Sequence, residues 1–217
     1  MHQPTARARS LAYSLVAAPM LRLPSEALLN ELAAPAFTQT LAVIDDAYGD
    51  PALTTALANL RTAAEAACTA NDRGALLTEL GRDRTYLLRA LAPDVGAPPA
   101  YESHWQVPGS TESVMLDLTR AYRRAGVELS AEAHERPDYL GVELLFLGEL
   151  AAQELTDEAP VTELRAEQKR FFATHVNPWA TSYLCEALPL AQTDFFRSVL
   201  AVASALLAAE KTVLAAA

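Results

Sequence analysis

Helix punctuation recurs along this chain while strand punctuation is nearly absent, and that contrast constrains the fold more than any other feature. Ser25 opens a helix as a capping residue, Pro35 suits a first helical turn, and Asp50-Pro51 is a cap followed by proline at the first position. Asp72 precedes Leu76, Leu77 and Leu80 in the same way. No sustained period-2 alternation occurs, no Asn-Gly or Asp-Gly hairpin turn, and glycine appears only eight times in 217 residues. The expectation is an all-α fold, a bundle of about nine to eleven helices, with an apolar fraction of 51% ample for a core.

The helical pattern breaks once, between Ala92 and Ser110, where Pro93, Gly96, Pro98, Pro99, Pro108 and Gly109 crowd together. This divides the chain into an N-terminal helical lobe (1–91), a hinge loop (92–110) and a C-terminal helical lobe (111–217). Beyond the break, Ser110 can cap a helix carrying Val114, Leu118 and Tyr122, and Gly126 stops it. Later helices are expected from Pro137 to Glu154, Pro160 to Thr174, Pro178 to Ala187 and Thr193 to Leu214. Near the N-terminus, Arg7 and Arg9 followed by Leu11 to Ala18 imitate a secretory signal. The spacing of Ala8, Leu11, Ala12, Leu15 and Val16 instead predicts an amphipathic helix docked on the core.

The 17 basic residues against 27 acidic ones give a net charge of -10, the wrong sign for neutralising nucleic-acid phosphates. No nucleic-acid partner is expected. Only Lys169 and Lys211 are lysines, so the positive charge is almost entirely arginine. Cys68 and Cys185 stand far apart, and the four histidines fall in no HExxH spacing, which points to a reduced cytoplasmic protein with neither metal nor other cofactor. The apolar run Ser198 to Ala209 is too short to cross a bilayer and reads as a buried helix, so no membrane insertion is expected.

No phosphate loop, nucleophile elbow or Ser/His/Asp spacing nominates a reaction, and the chain reads as a non-enzyme. His134 and His175 read as capping or packing residues. One carboxylate stands out. On a helical wheel Glu143 falls inside the apolar arc of Leu140, Leu144, Leu147, Leu150 and Ala151, so an arginine or a backbone donor should meet it. An ion pair tying helices together is the plainer role and a peptide-reading carboxylate the second. Aromatic residues gather around the break at Tyr86, Tyr101 and Trp105, with Tyr139 beyond the next helix. With Glu102 and Asp138 they can form an apolar site with an acidic rim suited to an arginine-bearing apolar peptide, or they simply pack the hinge.

Three segments carry a resemblance. Pro98-Pro99-Ala100-Tyr101-Glu102-Ser103-His104-Trp105 resembles the PPYESVY-like loop of the TorD/DmsD/NarJ family of molybdoenzyme maturation chaperones. Glu135 to Leu147 is similar to that family's E-x-P-D-H-L segment with its trailing E-L-x-F-L, and Phe171 to Trp179 to its F-x-x-x-H-L-x-P-W element. Asp83-Arg84-Thr85-Tyr86-Leu87-Leu88 resembles its Y-x-R-L-F box. Their order and spacing from about residue 83 to 180 carry the resemblance.

The resemblance implies a TorD-like helical domain that performs no reaction. It implies binding to the catalytic subunit of a molybdenum-containing oxidoreductase, through its twin-arginine signal peptide, during cofactor insertion and before export. The alternatives are a chaperone for a non-exported nitrate-reductase-type subunit, or a structural or regulatory subunit of a redox complex. The peptide-binding residues it implies are Tyr101, Glu102, Trp105, Pro137, Asp138 and Tyr139. Tyr139 departs from the family's histidine and cannot become cationic near neutral pH. Ala100 looks inserted between the prolines and Tyr101, and His104-Trp105 replaces the family's small apolar and tyrosine pair. The hinge allows a monomer or a domain-swapped dimer.

Overall fold

The computed structural model describes residues 4–89, 95–106, 111–128 and 135–216, and these form eleven α-helices. They are α1 (Ala6–Leu21), α2 (Glu26–Ala33), α3 (Pro35–Tyr48), α4 (Pro51–Cys68), α5 (Arg73–Leu88), α6 (Glu102–Trp105), α7 (Thr111–Arg124), α8 (Leu140–Gln153), α9 (Val161–Phe171), α10 (Ala180–Ala187) and α11 (Asp194–Ala216). A π-helical turn, Phe172–Val176, continues α9, and a 3-10 turn, Leu188–Leu190, follows α10. The all-α expectation holds. Parts of the hinge (92–94 and 107–110), the cap Ser110 and His134 lie outside the described residues.

Local signals set most boundaries. Asp50 accepts from the amides of Ala52 and Leu53 at 3.0 and 2.9 Å, with Pro51 as the first helical residue of α4. Asp72 caps α5 through the amide of Ala75 at 2.9 Å. Gly126 follows α7 with φ 69°, a left-handed conformation that favours glycine. Ser25 stands at the start of α2, but its side chain makes no capping bond. The helix expected from Pro137 begins only at Leu140, because residues 137–139 form a turn and a bridge.

Helices from both sides of the Pro/Gly-rich break share one core: α1 packs along α8, and α4 along α11. Two glycines make the first contact close. A Cβ on Gly148 would lie 3.1 Å from Cβ of Tyr13, and one on Gly141 would lie 3.1 Å from Cβ of Met20. The face of α1 that this buries differs from the expected stripe. Ala8, Ala12 and Val16 are buried as expected, joined by Arg9, Tyr13, Ala17 and Met20. Leu11 and Leu15 are half-buried and instead line an apolar cavity of about 340 Å³ with Leu28, Leu32, Phe37 and Phe195.

Arg9 is on the buried face because Glu210 of α11 meets it there. Its Nε and Nη2 donate to that carboxylate at 2.9 and 2.6 Å. Glu210 is the formal charge that ended the expected apolar run; α11 carries it in a buried pair and runs Asp194–Ala216, close to the helix expected from Thr193 to Leu214. Among the described residues α11 is the one unbroken helix long and apolar enough to cross a membrane, and in this fold Phe195, Leu200, Leu206 and Leu214 are buried against protein.

Asp83 and Arg84, adjacent in α5, each tie down another helix end. Asp83 accepts from the amides of Gln192 and Thr193 at 3.1 and 2.8 Å, ahead of α11. Arg84, buried, donates to the carbonyls of Pro19 and Met20 in the last turn of α1. A cation there completes carbonyls that the helix leaves unpaired. The hydroxyl of Tyr139 donates to the same Met20 carbonyl at 2.9 Å.

Candidate functional site

The loop before α6 and the turn before α8 meet as a two-sided backbone bridge, Tyr101 opposite Tyr139 in antiparallel sense. The amide of Glu102 donates to Asp138 O at 2.9 Å, and the amide of Leu140 to Ala100 O at 3.0 Å. Gly96 allows the loop to approach: its φ is 87°, and a Cβ there would lie 2.3 Å from Tyr86 O, next to the bond from the Ala97 amide to that carbonyl. The rings of Tyr101 and Tyr139 lie 5.5 Å apart. The indole N–H of Trp105 donates to Pro99 O at 2.8 Å, and its ring stands edge-on to Tyr183.

All six residues anticipated as a peptide site therefore come together, but with unequal access. Tyr101, Trp105 and Pro137 are half-buried, whereas Glu102, Asp138 and Tyr139 are fully buried. Asp138 accepts from Arg136 at Oδ1 (2.9 Å) and Oδ2 (2.7 Å), and from the Ser103 amide at 3.3 Å. Burial pushes the Tyr139 phenol up, so it remains a neutral donor.

Behind the bridge, Glu102 faces the π-helical turn. The turn carries one extra residue per backbone bond, seen in the Asn177 amide reaching Phe172 O at 2.8 Å. It presents His175 inward, with Nδ1 at 3.2 and 3.1 Å from the two Glu102 oxygens. The side-chain Nε2 of Gln106 also donates to Glu102 Oε1 at 2.5 Å. Burial raises the Glu102 carboxyl above its ordinary range, Asp138 adds to the rise, and His175 opposes it.

Among the described residues Glu143 does not find the arginine or backbone donor that its position called for. Its Oε2 accepts from the indole of Trp179 at 3.3 Å, and its carboxyl interacts with that of Glu102. Burial first, and the charge of Glu102 second, hold Glu143 well above the ordinary carboxyl range. Two carboxyls that interact in an apolar setting resist ionising together, so burial and mutual repulsion favour one proton held by the pair. Oε1 of Glu143 meets no hydrogen-bond partner among the described residues.

Sequence reasoning placed Glu143 on a buried face but did not connect it to Glu102, and it took His175 for a capping or packing residue. The signal was present: the segments bearing the resemblance hold Glu102, Glu143, His175 and Trp179, and here they contact one another. Arg89 and Glu135 were also missed. They form a bidentate pair, with Arg89 Cζ 5.7 Å from the Tyr139 ring centroid. Among the described residues no group of three or more His, Cys, Asp or Glu side chains is placed to hold a metal.

The family model described as nitrate reductase delta subunit matches residues 46–184, more than half of the chain and the whole of the site. No curated protein matches. With the all-α architecture and the converging segments already described, the chain belongs to the nitrate reductase delta subunit family, a NarJ/TorD-type family of redox-enzyme maturation chaperones.

Proposed function

We propose that this protein is a cytoplasmic chaperone for the catalytic subunit of a molybdenum-containing oxidoreductase. It binds that subunit through an arginine-bearing leader while the cofactor is inserted. The observation that carries this reading is the bridge itself. Segments about 35 residues apart in sequence bring Tyr101, Trp105 and Pro137, all half-buried, to one surface beside Asp138, whose carboxylate lies under the exposed side chain of Arg136. Such a surface suits a peptide with an apolar stretch beside arginines. Aromatic rings supply area at low entropy cost, and a carboxylate takes a guanidinium in bidentate fashion. Glu102, buried, supports that surface from behind, and Tyr139 lies under the Arg89 guanidinium.

The test is calorimetric titration with twin-arginine leaders from candidate client enzymes, each paired with a version in which both arginines are alanine. Micromolar or tighter binding that weakens in the alanine version supports the reading. Unchanged affinity in Asp138→Ala removes Asp138 from the site. A second reading, a chaperone for a non-exported nitrate-reductase-type subunit, is favoured by the description of the matching family. It predicts that no leader binds and that the whole catalytic subunit co-purifies.

A further inference from the structure

Two arginines of the chain, Arg136 and Arg89, lie on the two tyrosines of the bridge. Arg136 donates through Nε and Nη2 to the two oxygens of Asp138 and through Nη2 to Ser103 Oγ at 2.9 Å. Its Cζ lies 4.7 Å from the Tyr101 ring centroid. Arg89 forks onto Glu135 and lies over Tyr139, the ring next to Tyr101. Each arginine thus has one carboxylate at its fork and one tyrosine at its face, and the two tyrosines are partners in the bridge.

Access runs in one direction. The carboxylates are enclosed, with Asp138 0% and Glu135 8% exposed, while the Arg136 and Arg89 side chains are 45% and 32% exposed. A guanidinium arriving from solvent can therefore take over either fork once the resident one swings outward. Arg136 is only two residues from Asp138 and tethered beside it, so it competes at high effective concentration. Exchange of one guanidinium for another leaves no buried carboxylate unpaired, which keeps the cost of displacement low.

We propose that the two carboxylate–tyrosine pairs, Asp138 with Tyr101 and Glu135 with Tyr139, are guanidinium receptors for two arginines of a client peptide. Arg136 and Arg89 occupy them in the free protein as internal stand-ins. The proposal rests on the leader-binding reading above. Its consequence is selectivity for paired arginines: a peptide with one arginine displaces one stand-in and fills one receptor, whereas a paired-arginine peptide displaces both and fills both. Apparent affinity is lowered by the fraction of molecules whose receptors are free, so about 90% internal occupancy weakens binding about tenfold.

The experiment titrates wild type, Arg136→Ala and Arg136→Met with one leader in its Arg-Arg and Ala-Ala forms. Near-ultraviolet dichroism checks the fold of each variant. Methionine keeps an apolar stem over Tyr101 if alanine loosens the loop. The expected result is roughly tenfold tighter binding of the Arg-Arg peptide by both variants, no gain for the Ala-Ala peptide, and loss of the gain when Asp138→Asn is added. If wild type binds the Arg-Arg peptide selectively but the Arg136 variants bind it equally or more weakly, Arg136 is structural and the stand-in proposal is overturned while the leader reading survives. If neither wild type nor the variants distinguish the two peptides, both fall.

Discussion

Two buried charge clusters hold this fold together on opposite terms. In the first, α1 meets α11 and α8: Glu210 accepts from Arg9 and from the hydroxyls of Tyr13 (2.8 Å) and Tyr48 (2.6 Å). Arg9 and Arg165 also reach Glu154, at 3.5 and 3.0 Å. Two carboxylates face two guanidiniums, and burial keeps both phenols protonated as donors. In the second, Glu102, Asp138 and Glu143 face His175 and Arg136, and Arg136 is reachable from solvent. Burial and the neighbouring carboxyl of Glu102 raise the Glu143 carboxyl, which favours its neutral form in that cluster. A matched cluster pairs each buried charge with an opposite one, whereas an anion-rich one leaves carboxyls that only a proton or a cation can answer. The contrast separates the part of the molecule that only holds from the part that can respond.

The largest effect should come from breaking the matched cluster. Arg9→Ala leaves Glu210 buried without a cation, and loss of one partner of a buried pair costs about 3–5 kcal/mol. The midpoint of urea unfolding reads it, and a loss below about 1 kcal/mol would remove the cluster from its fastening role.

Glu143→Gln sharpens the other side of the comparison. The folded carboxyl of Glu143 is raised, so between its ordinary range and that raised value the native state holds a proton the unfolded chain has lost. Wild type should therefore be most stable at low pH with respect to this group and lose stability as pH rises, at most about 1.4 kcal/mol per pH unit for one proton. Glutamine stays neutral, so the variant gains on wild type as pH rises. Parallel stability curves from pH 5 to 8 would show that Glu143 is ionised or paired in some other way.

Asp83 offers a third arrangement, a buried carboxylate answered by backbone amides at the start of α11 rather than by a cation. Asp83→Ala should cost about 1–2 kcal/mol, the scale of a lost helix cap. A loss as large as that of Arg9→Ala would mean that cation pairing adds little to burial itself.

The parts legible in the sequence were those whose cause is local. A cap such as Asp50 and its amides span three residues, and Gly126 stops its helix by its own backbone freedom, so both could be read from neighbours alone. The three site segments were legible as a resemblance, but their mutual contact was not. Glu102 and His175 are 73 residues apart, and Arg9 and Glu210 are 201 apart. An arginine on an amphipathic helix normally marks the solvent face, so nothing nearby revealed that Arg9 points inward. Asp138 likewise looked like an open acidic rim because the residue that covers it, Arg136, reads as one more surface cation.

The smallest effect should belong to a pair with the same chemistry as the first cluster and none of its burial. Arg22 and Glu31 form a bidentate bond at 2.8 and 2.7 Å, as well aligned as Arg9 with Glu210. Their side chains are 55% and 51% exposed. The Arg22 fork lowers the Glu31 carboxyl, so this pair adds stability above the ordinary carboxyl range and loses it as pH falls, the reverse of Glu143. Water competes for both ends and salt screens what remains, so Glu31→Ala should cost only about 0.2–1 kcal/mol and less still at high ionic strength. Measured beside Arg9→Ala in low and high salt, it isolates burial as the variable. If the exposed pair lost as much as the buried one, geometry alone would set the strength of these contacts, and the division between a fastening cluster and a responsive one would have to be drawn from hydrogen-bond count instead.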